Sequence, residues 1–445
     1  MKEKLVLIAL LLSFTIKAQT IRGNLKHHAG QQISLTGFNY YKTSELAKTT
    51  LDSLGNFRLA YPKDYKGMGV LKTQDNSSLV VLLTEKNIEL KGNHLQEPDK
   101  LVFTNSIDNK NFMYYAKAQS LYTNALSAWK YLEDIYQKEV LYNNLKEVKN
   151  TIKKEQDRIQ KEDAAFLTNL DKNNYVRWFI PYRKLIQEMP SIAKTAPQHI
   201  PKAIQQYRNT DFNHPNFKTS GLFKELIEGH YMLLENMGQS LDSSAVQMNL
   251  STKHLIDNLQ ANDRLLNTVS TKLFNYLEKR SLFKASEYLS INLLNNSQCS
   301  LTDNLVAKLE RYRKLKVGAT APDINLNNNI QLSAVKTNKL VVFGASWCPS
   351  CKTDALGLLK YYDAWKTKNV EIIYISIDTD KTAYEIAYKN VPWQTYCDFK
   401  GWETQAVKDY FIIETPTYIL LDKDLKILGH PNSVAHADAW VNHKL

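Results

Sequence analysis

The stretch around residues 338–366 constrains the fold more than any other part of the chain. An apolar run at 340–343 leads into GASWCPSCKTD, and a helical pattern follows from Asp354 to about Lys366. Two cysteines, Cys348 and Cys351, are thereby placed where a strand hands over to a helix. The alternation continues to the C-terminus, with strands expected at 371–377, 417–421 and 425–428 and helices at 382–389, near 403–410 and around 435–441. Strands alternating with helices of this length imply βαβ units around a central sheet, an α/β fold for residues 317–445.

A cysteine pair at this spacing can be a reactive dithiol, half of a zinc site or a structural staple. A structural zinc site needs four ligands, and the chain has no second CxxC and no HxxxH. No metal site is therefore expected. A staple closing so short a loop gains little chain entropy. The dithiol reading has a physical basis in its position. At the start of a helix, unpaired backbone N–H groups and the positive end of the helix dipole favour thiolate over thiol at Cys348. Pro349 suits the first helical position, where its missing N–H costs nothing. Cys351, three residues on, falls beneath Cys348, so Cys348 is the better attacking nucleophile and Cys351 the resolving partner.

The chain has 445 residues, 43% of them apolar, enough for two or three domains with hydrophobic cores. Only four cysteines in that length exclude a disulfide-stapled scaffold. Residues 1–18 carry Lys2 and Lys4 ahead of an apolar run too short to span a bilayer, and read as a secretory signal cut after Ala18. No cysteine stands where a lipid-anchored protein would begin, so the expected product is exported to the periplasm or cell envelope without a lipid anchor. Residues 19–105 hold short β-branched and aromatic runs punctuated by Gly, Asn, Asp and Ser, as in DSLGNF at 52–57, and read as a small β-sandwich-like domain. Residues 106–316 read as an all-α middle region, because 111–310 contain only three glycines, Gly221, Gly229 and Gly238. There Leu145, Ile152, Ile159 and Phe166 recur every seven residues, with Leu141 and Val148 alongside. They predict a long helix with a narrow seam packed on another helix of this chain. Pro181, Pro190, Pro197, Pro201 and Pro215 are expected to divide the rest into several helices. The net charge of +12 lies upstream of the dithiol, since residues 317–445 carry 13 Lys and no Arg against 14 acidic residues. Its lysines are interspersed with acids, which describes a solvated helical face, and no nucleic-acid partner is expected.

VGATAPDI at 317–324, ASWCPSC at 345–351 and ETPTYILLD at 414–422 stand in the order and spacing of the thioredoxin superfamily. They look most like its exported TlpA/ResA-type thiol–disulfide oxidoreductases. The β and helical extensions also resemble those of multidomain thioredoxin-like proteins of Bacteroidetes, and VGATAPDI is common to redoxins of the AhpC/TSA type. The resemblance implies a thioredoxin fold for residues 317–445 and the following roles. Pro416 matches the family's cis-proline lying against the dithiol, and Thr415 before it would pair with an extended substrate beside Cys348. Trp347 matches the family's aromatic before the first cysteine, where it would shield the disulfide, and with Pro349 it would contact substrate. Asp354 stands where many exported relatives have Glu and would relay a proton for Cys351, or else stabilise the first helical turn. Val342 replaces the buried Asp of thioredoxins, and Gly344 replaces an aromatic residue, which implies a more open local surface. Cys397 is extra to the mechanism, a buried apolar thiol or a partner for Cys299.

The implied activity is exchange of disulfides in exported proteins, with no cofactor, protein thiol and disulfide substrates, and a membrane electron donor. A peroxiredoxin-like peroxide reductase is the alternative, but it needs an Arg beside a single peroxidatic cysteine, and residues 317–445 hold none. A partner-binding protein with an accessory redox domain is the other.

Overall fold

A computed structural model describes residues 19–296, 300–326 and 330–445. The expected signal segment and Cys299 lie outside the described residues. The chain divides into two compact units after Leu233.

The first unit begins with two four-stranded sheets. In one, strand Gln19–Leu25 pairs antiparallel with Asn56–Tyr61 and parallel with Asn87–Gly92, which also pairs with the short Val102–Phe103. In the other, Lys42–Thr50, Gln32–Asn39, Gly67–Thr73 and Ser78–Leu83 follow one another antiparallel. Burial alternates along Asn56–Tyr61, as a strand with one wet face requires. Ile21 and Leu59 from one sheet share a core with Leu35, Leu71 and Val81 from the other, so the sheets form a sandwich. The DSLGNF run is a turn: Asp52 Oδ1 accepts the N–H of Leu54 at 2.9 Å and of Asn56 at 2.8 Å, and Gly55 takes φ +80°.

Helix Ile107–Lys138 is capped by Ser106 and fastened to the second sheet by Asn109. The Asn109 amide accepts the Leu82 N–H at 2.8 Å and donates to the Leu82 carbonyl at 2.7 Å, completing a buried strand edge as a further strand would. The seven-residue seam belongs to helix Lys146–Asn169, where Ile152 and Ile159 are buried. Its partner is the Ile107–Lys138 helix, whose Tyr114 and Tyr115 meet Phe166. Leu141 and Leu145 fall outside it, in the turn that reverses the chain. Pro181 and Pro190 do not end a helix either, since both lie within Tyr175–Thr195. An interior proline costs about 3 kcal/mol, whereas burying side chains such as Phe179, Ile180, Leu185 and Met189 returns about 1.5–3 kcal/mol each.

The second unit opens with helices Leu241–Leu259, Asp263–Lys279, Phe283–Asn295 and Asp303–Lys314. A five-stranded sheet follows, in the order Gln394–Cys397, Val370–Ser376, Asn338–Gly344, Thr417–Leu421, Ile427–Gly429. The first three strands are parallel, and Thr417–Leu421 pairs antiparallel with both of its neighbours. Gln394–Cys397 is an edge strand the sequence pattern does not announce. Val341 and Phe343 face one core layer with Ile373 and Ile419, while Leu340 and Val342 face another with Tyr374 and Tyr418. Helices Pro349–Thr367 and Val434–Lys444 cover the second layer through Leu358, Tyr362, Trp365, Val434 and Val441. His430 joins the helical segment to this sheet: it is buried and its Nε2 donates to the Leu315 carbonyl at 2.7 Å.

Candidate redox site

The central strand Asn338–Gly344 is paired on both sides, so the chain leaves it in a fixed direction. It then makes one turn, closed by the Cys348 N–H donating to the Ala345 carbonyl at 3.2 Å. Cys348 is the N-cap of helix Pro349–Thr367, and Pro349 occupies its first position, exposed. The Cys351 N–H donates to Cys348 Sγ at 3.2 Å, which places an orphan helical donor on that sulfur. The two sulfurs are bonded as a disulfide, with Cα atoms 5.3 Å apart. On the other side, the Thr415 carbonyl oxygen lies 3.5 Å from Cys348 Sγ, and the Thr415–Pro416 bond is cis. Cys348 and Cys351 are only 4% and 3% exposed, whereas Trp347 is 54% exposed. In the reduced state the helix N-terminus and the Cys351 N–H favour a thiolate at Cys348.

Cys348, Cys351, Thr415 and Pro416 are thus gathered at one end of the sheet, 67 residues apart in sequence. Asp354, one turn along the helix from Cys351, has a partner the sequence does not reveal: the Tyr418 phenol donates to its carboxylate. Burial and then the Asp354 carboxylate push the Tyr418 pKa far above its ordinary value. Val342 is packed in the apolar layer beside Tyr374 and Tyr418. The openness expected at Gly344 is not found. Gly344 is buried, and a Cβ there would overlap the Tyr374 hydroxyl, so a tyrosine from the next strand fills the space.

Sequence reasoning also missed Asp378. This carboxylate is 1% exposed and accepts from the Ser346 N–H at 3.0 Å, the Ser346 hydroxyl at 2.6 Å and the Ser376 hydroxyl at 2.5 Å. The signal was present in ISID, where Ser376 and Asp378 interrupt an otherwise apolar strand end. Cys397 is a free, buried thiol that donates to the Asp378 carbonyl at 3.4 Å, and burial pushes its pKa up.

In the first unit, His28, Asp75 and His94 bring three potential ligand atoms within 4.8 Å of one another. Their tautomers speak against a metal. The Leu95 N–H donates to His28 Nε2 at 3.2 Å and the Gln96 N–H to His94 Nδ1 at 3.0 Å. In neutral imidazoles the opposite nitrogens, which face Asp75, then carry the protons and have no lone pair to offer. Burial, opposed by Asp75, holds the His28 pKa below its ordinary value, in keeping with a neutral ring.

Residues 338–427 match the family model described as thioredoxin-like. The chain is 32% identical over 128 residues to the thiol–disulfide oxidoreductase ResA of Bacillus thuringiensis subsp. konkukian, a match covering 26% of this chain and 70% of that protein. Among solved structures, a thiol–disulfide oxidoreductase from Bacteroides fragilis is 29% identical, covering 28% of this chain and 99% of that one, with a TM-score of 0.27. The thioredoxin domain of a thiol–disulfide oxidoreductase from Bacteroides vulgatus is 26% identical, covering 29% and 99%, with a TM-score of 0.27. A disulfide at the N-cap of a helix, a cis-proline loop against it and a ResA relative matched over most of its length agree: the chain belongs to the thioredoxin superfamily, as a ResA/TlpA-like thiol–disulfide oxidoreductase.

Proposed function

We propose that this oxidoreductase works outside the cytoplasm as a reductase of disulfides in exported proteins, through a mixed disulfide at Cys348. The observation that carries the reading is the setting of Cys348 Sγ, which takes a helical N–H from Cys351 and lies beside the Thr415 carbonyl. In the reduced protein the Cys348 thiolate attacks one sulfur of a substrate disulfide. The substrate S–S bond breaks, its second sulfur leaves as a thiolate and takes a proton, and Cys348 is joined to the substrate. Cys351 then loses its proton and attacks Cys348 Sγ. That closes the Cys348–Cys351 disulfide, releases the second substrate thiol and completes the transfer of two electrons to substrate. Asp354 is the candidate acceptor for the Cys351 proton, with Tyr418 holding its carboxylate in place. Thr415 offers its backbone, and Trp347 and Pro349 their exposed surfaces, to an extended substrate segment. The oxidised enzyme is returned to the dithiol by a membrane electron donor, which an exported reductase requires because its compartment supplies no soluble reductant.

The signal-like pattern of residues 1–18 supports export. Cys351→Ser should accumulate mixed disulfides through Cys348, separable on non-reducing gels and identifiable by mass spectrometry, while Cys348→Ser should not. Trapping thiols by rapid alkylation in cells tests the direction. A Cys348–Cys351 pair fully oxidised at steady state would overturn the reductase reading, and absence of any protein adduct in Cys351→Ser would overturn the substrate class.

A further inference from the structure

A buried carboxylate sits directly under the loop that carries the attacking cysteine. Asp378 follows strand Val370–Ser376 at the point where it parts from the central strand. The last ladder bond there is from the Ile377 N–H to the Gly344 carbonyl, at 2.9 Å. Beyond it the central strand enters the turn 345–348, and Ser346 is the first inner residue of that turn. Both donors of Ser346, its N–H and its hydroxyl, go to Asp378. The Ser376 hydroxyl goes to the same carboxylate and also accepts the Asp378 N–H at 3.2 Å. Among the described residues no Lys, Arg or His makes an ion pair with Asp378. Three neutral donors converge on it instead.

That donor set explains why an acid is there. Two hydroxyls and an N–H donate here, and a carboxylate accepts at every one of those sites. The amide of Asn would accept through one oxygen only, and its NH2 would oblige a serine hydroxyl to turn from donor to acceptor. Burying a carboxylate is costly, and hydrogen bonds to it are correspondingly strong once made. The result is a clamp on one residue of a four-residue turn whose last residue is both the nucleophile and the N-cap of the helix. If the turn loosens, Cys348 loses its register with two groups together: the Cys351 N–H that stabilises its thiolate and the Thr415 carbonyl beside which substrate would lie.

We propose that Asp378 is a positioning residue for the dithiol, fixing through Ser346 the turn that presents Cys348 and thereby setting that cysteine's reactivity. The inference rests on the reading of Cys348 as the attacking thiolate. Its test therefore begins with the full-length wild type, reduced and alkylated with iodoacetamide across pH, with site occupancy read by mass spectrometry. Cys348 must react ahead of Cys351 there. If it does not, the reading of the site fails, and the inference with it. Given that result, Asp378→Asn should move the alkylation midpoint of Cys348 to higher pH and slow its reaction at pH 7 by about tenfold, the scale of one lost hydrogen bond. Ser346→Ala leaves the carboxylate in place but removes one arm of the clamp, and should shift the midpoint in the same direction by less. A midpoint that falls in Asp378→Asn would make the carboxylate a mere repelling charge and overturn the proposal. So would unchanged midpoints in both variants with only a lowered Tm. Should Asp378→Asn fail to fold, Ser346→Ala decides alone: a wild-type midpoint and a wild-type glutathione equilibrium for Cys348–Cys351 overturn the inference while leaving the redox function standing.

Discussion

One buried histidine, His430, should withdraw stability from the second unit as the pH falls. His430 is 5% exposed, donates Nε2–H to the Leu315 carbonyl, and packs near Tyr312, with ring centroids 5.2 Å apart. Burial, reinforced by the Arg311 guanidinium, holds its pKa down to about 3, against an ordinary value of 6.5 and against the hydrogen bond to Leu315. The folded protein therefore keeps this ring neutral across a range where the unfolded chain protonates it. Stability is fully present above pH 6.5 and is lost on acidification until the folded pKa is reached. Well below 6.5 the loss approaches about 1.4 kcal/mol per pH unit, so this site alone costs about 2 kcal/mol between pH 7 and pH 5. Glu278 works the other way. Burial pushes its pKa up to about 7, opposed by Ser286 and Arg311, so its contribution is full below 4.5 and fades as pH rises to 7. The raw pH profile is therefore a sum, and His430→Gln isolates one part of it. Urea unfolding of both proteins at pH 7 and pH 5, followed by tryptophan fluorescence, gives the difference directly. Wild type should lose about 2 kcal/mol more than the variant between those two pH values. Equal losses would refute the argument, whatever the variant's absolute stability.

Three further outcomes follow from packing and burial. Gly344→Ala should destabilise the second unit by about 1–3 kcal/mol through overlap with the Tyr374 hydroxyl, and Tyr374→Phe in that background should recover part of it. Denaturant curves of the single and double variants check this, and a neutral Gly344→Ala would refute it. Asn109→Ala leaves the Leu82 N–H and carbonyl without their partner, and should cost about 1–3 kcal/mol per orphaned group, with amide exchange accelerated along Ser78–Leu83. Cys397, whose thiol pKa burial pushes up, should alkylate in the native reduced protein more slowly than Cys348, whose thiolate the helix N-terminus favours. Comparable rates under mild iodoacetamide would show that the thiol is accessible.

What could be read in the sequence was what depends on short-range pattern. The strand 340–343, the helix after the dithiol and the strand 417–421 follow from apolar periodicity, and Cys348 as N-cap follows from Pro349 behind it. The seam of Ile152 and Ile159 was equally legible, because a seven-residue repeat specifies one face. The rest depends on partners distant in the chain. Pro181 and Pro190 read as breaks because their local cost is visible and the burial around them is not. Gly344 read as an opening because nothing in sequence says that Tyr374 occupies it. Asp354 read as a proton relay or a first-turn acid, and nothing local shows that Tyr418, 64 residues away, donates to it. Asp378 and Ser346 meet across 32 residues, and only the pairing of two parallel strands brings them together.

The contrast between hidden sulfurs and an exposed indole bears on how this enzyme would be found by its partners. With Cys348 and Cys351 nearly sealed and Trp347 standing out beside them, encounter and reaction become separate events. In the proposed function, a polypeptide that lays a strand along Thr415 would be held beside Cys348 for longer than a small thiol that meets only the ring. On the proposed reading, preference among disulfides would then be set by dwell time, with the longest-held chains served most often.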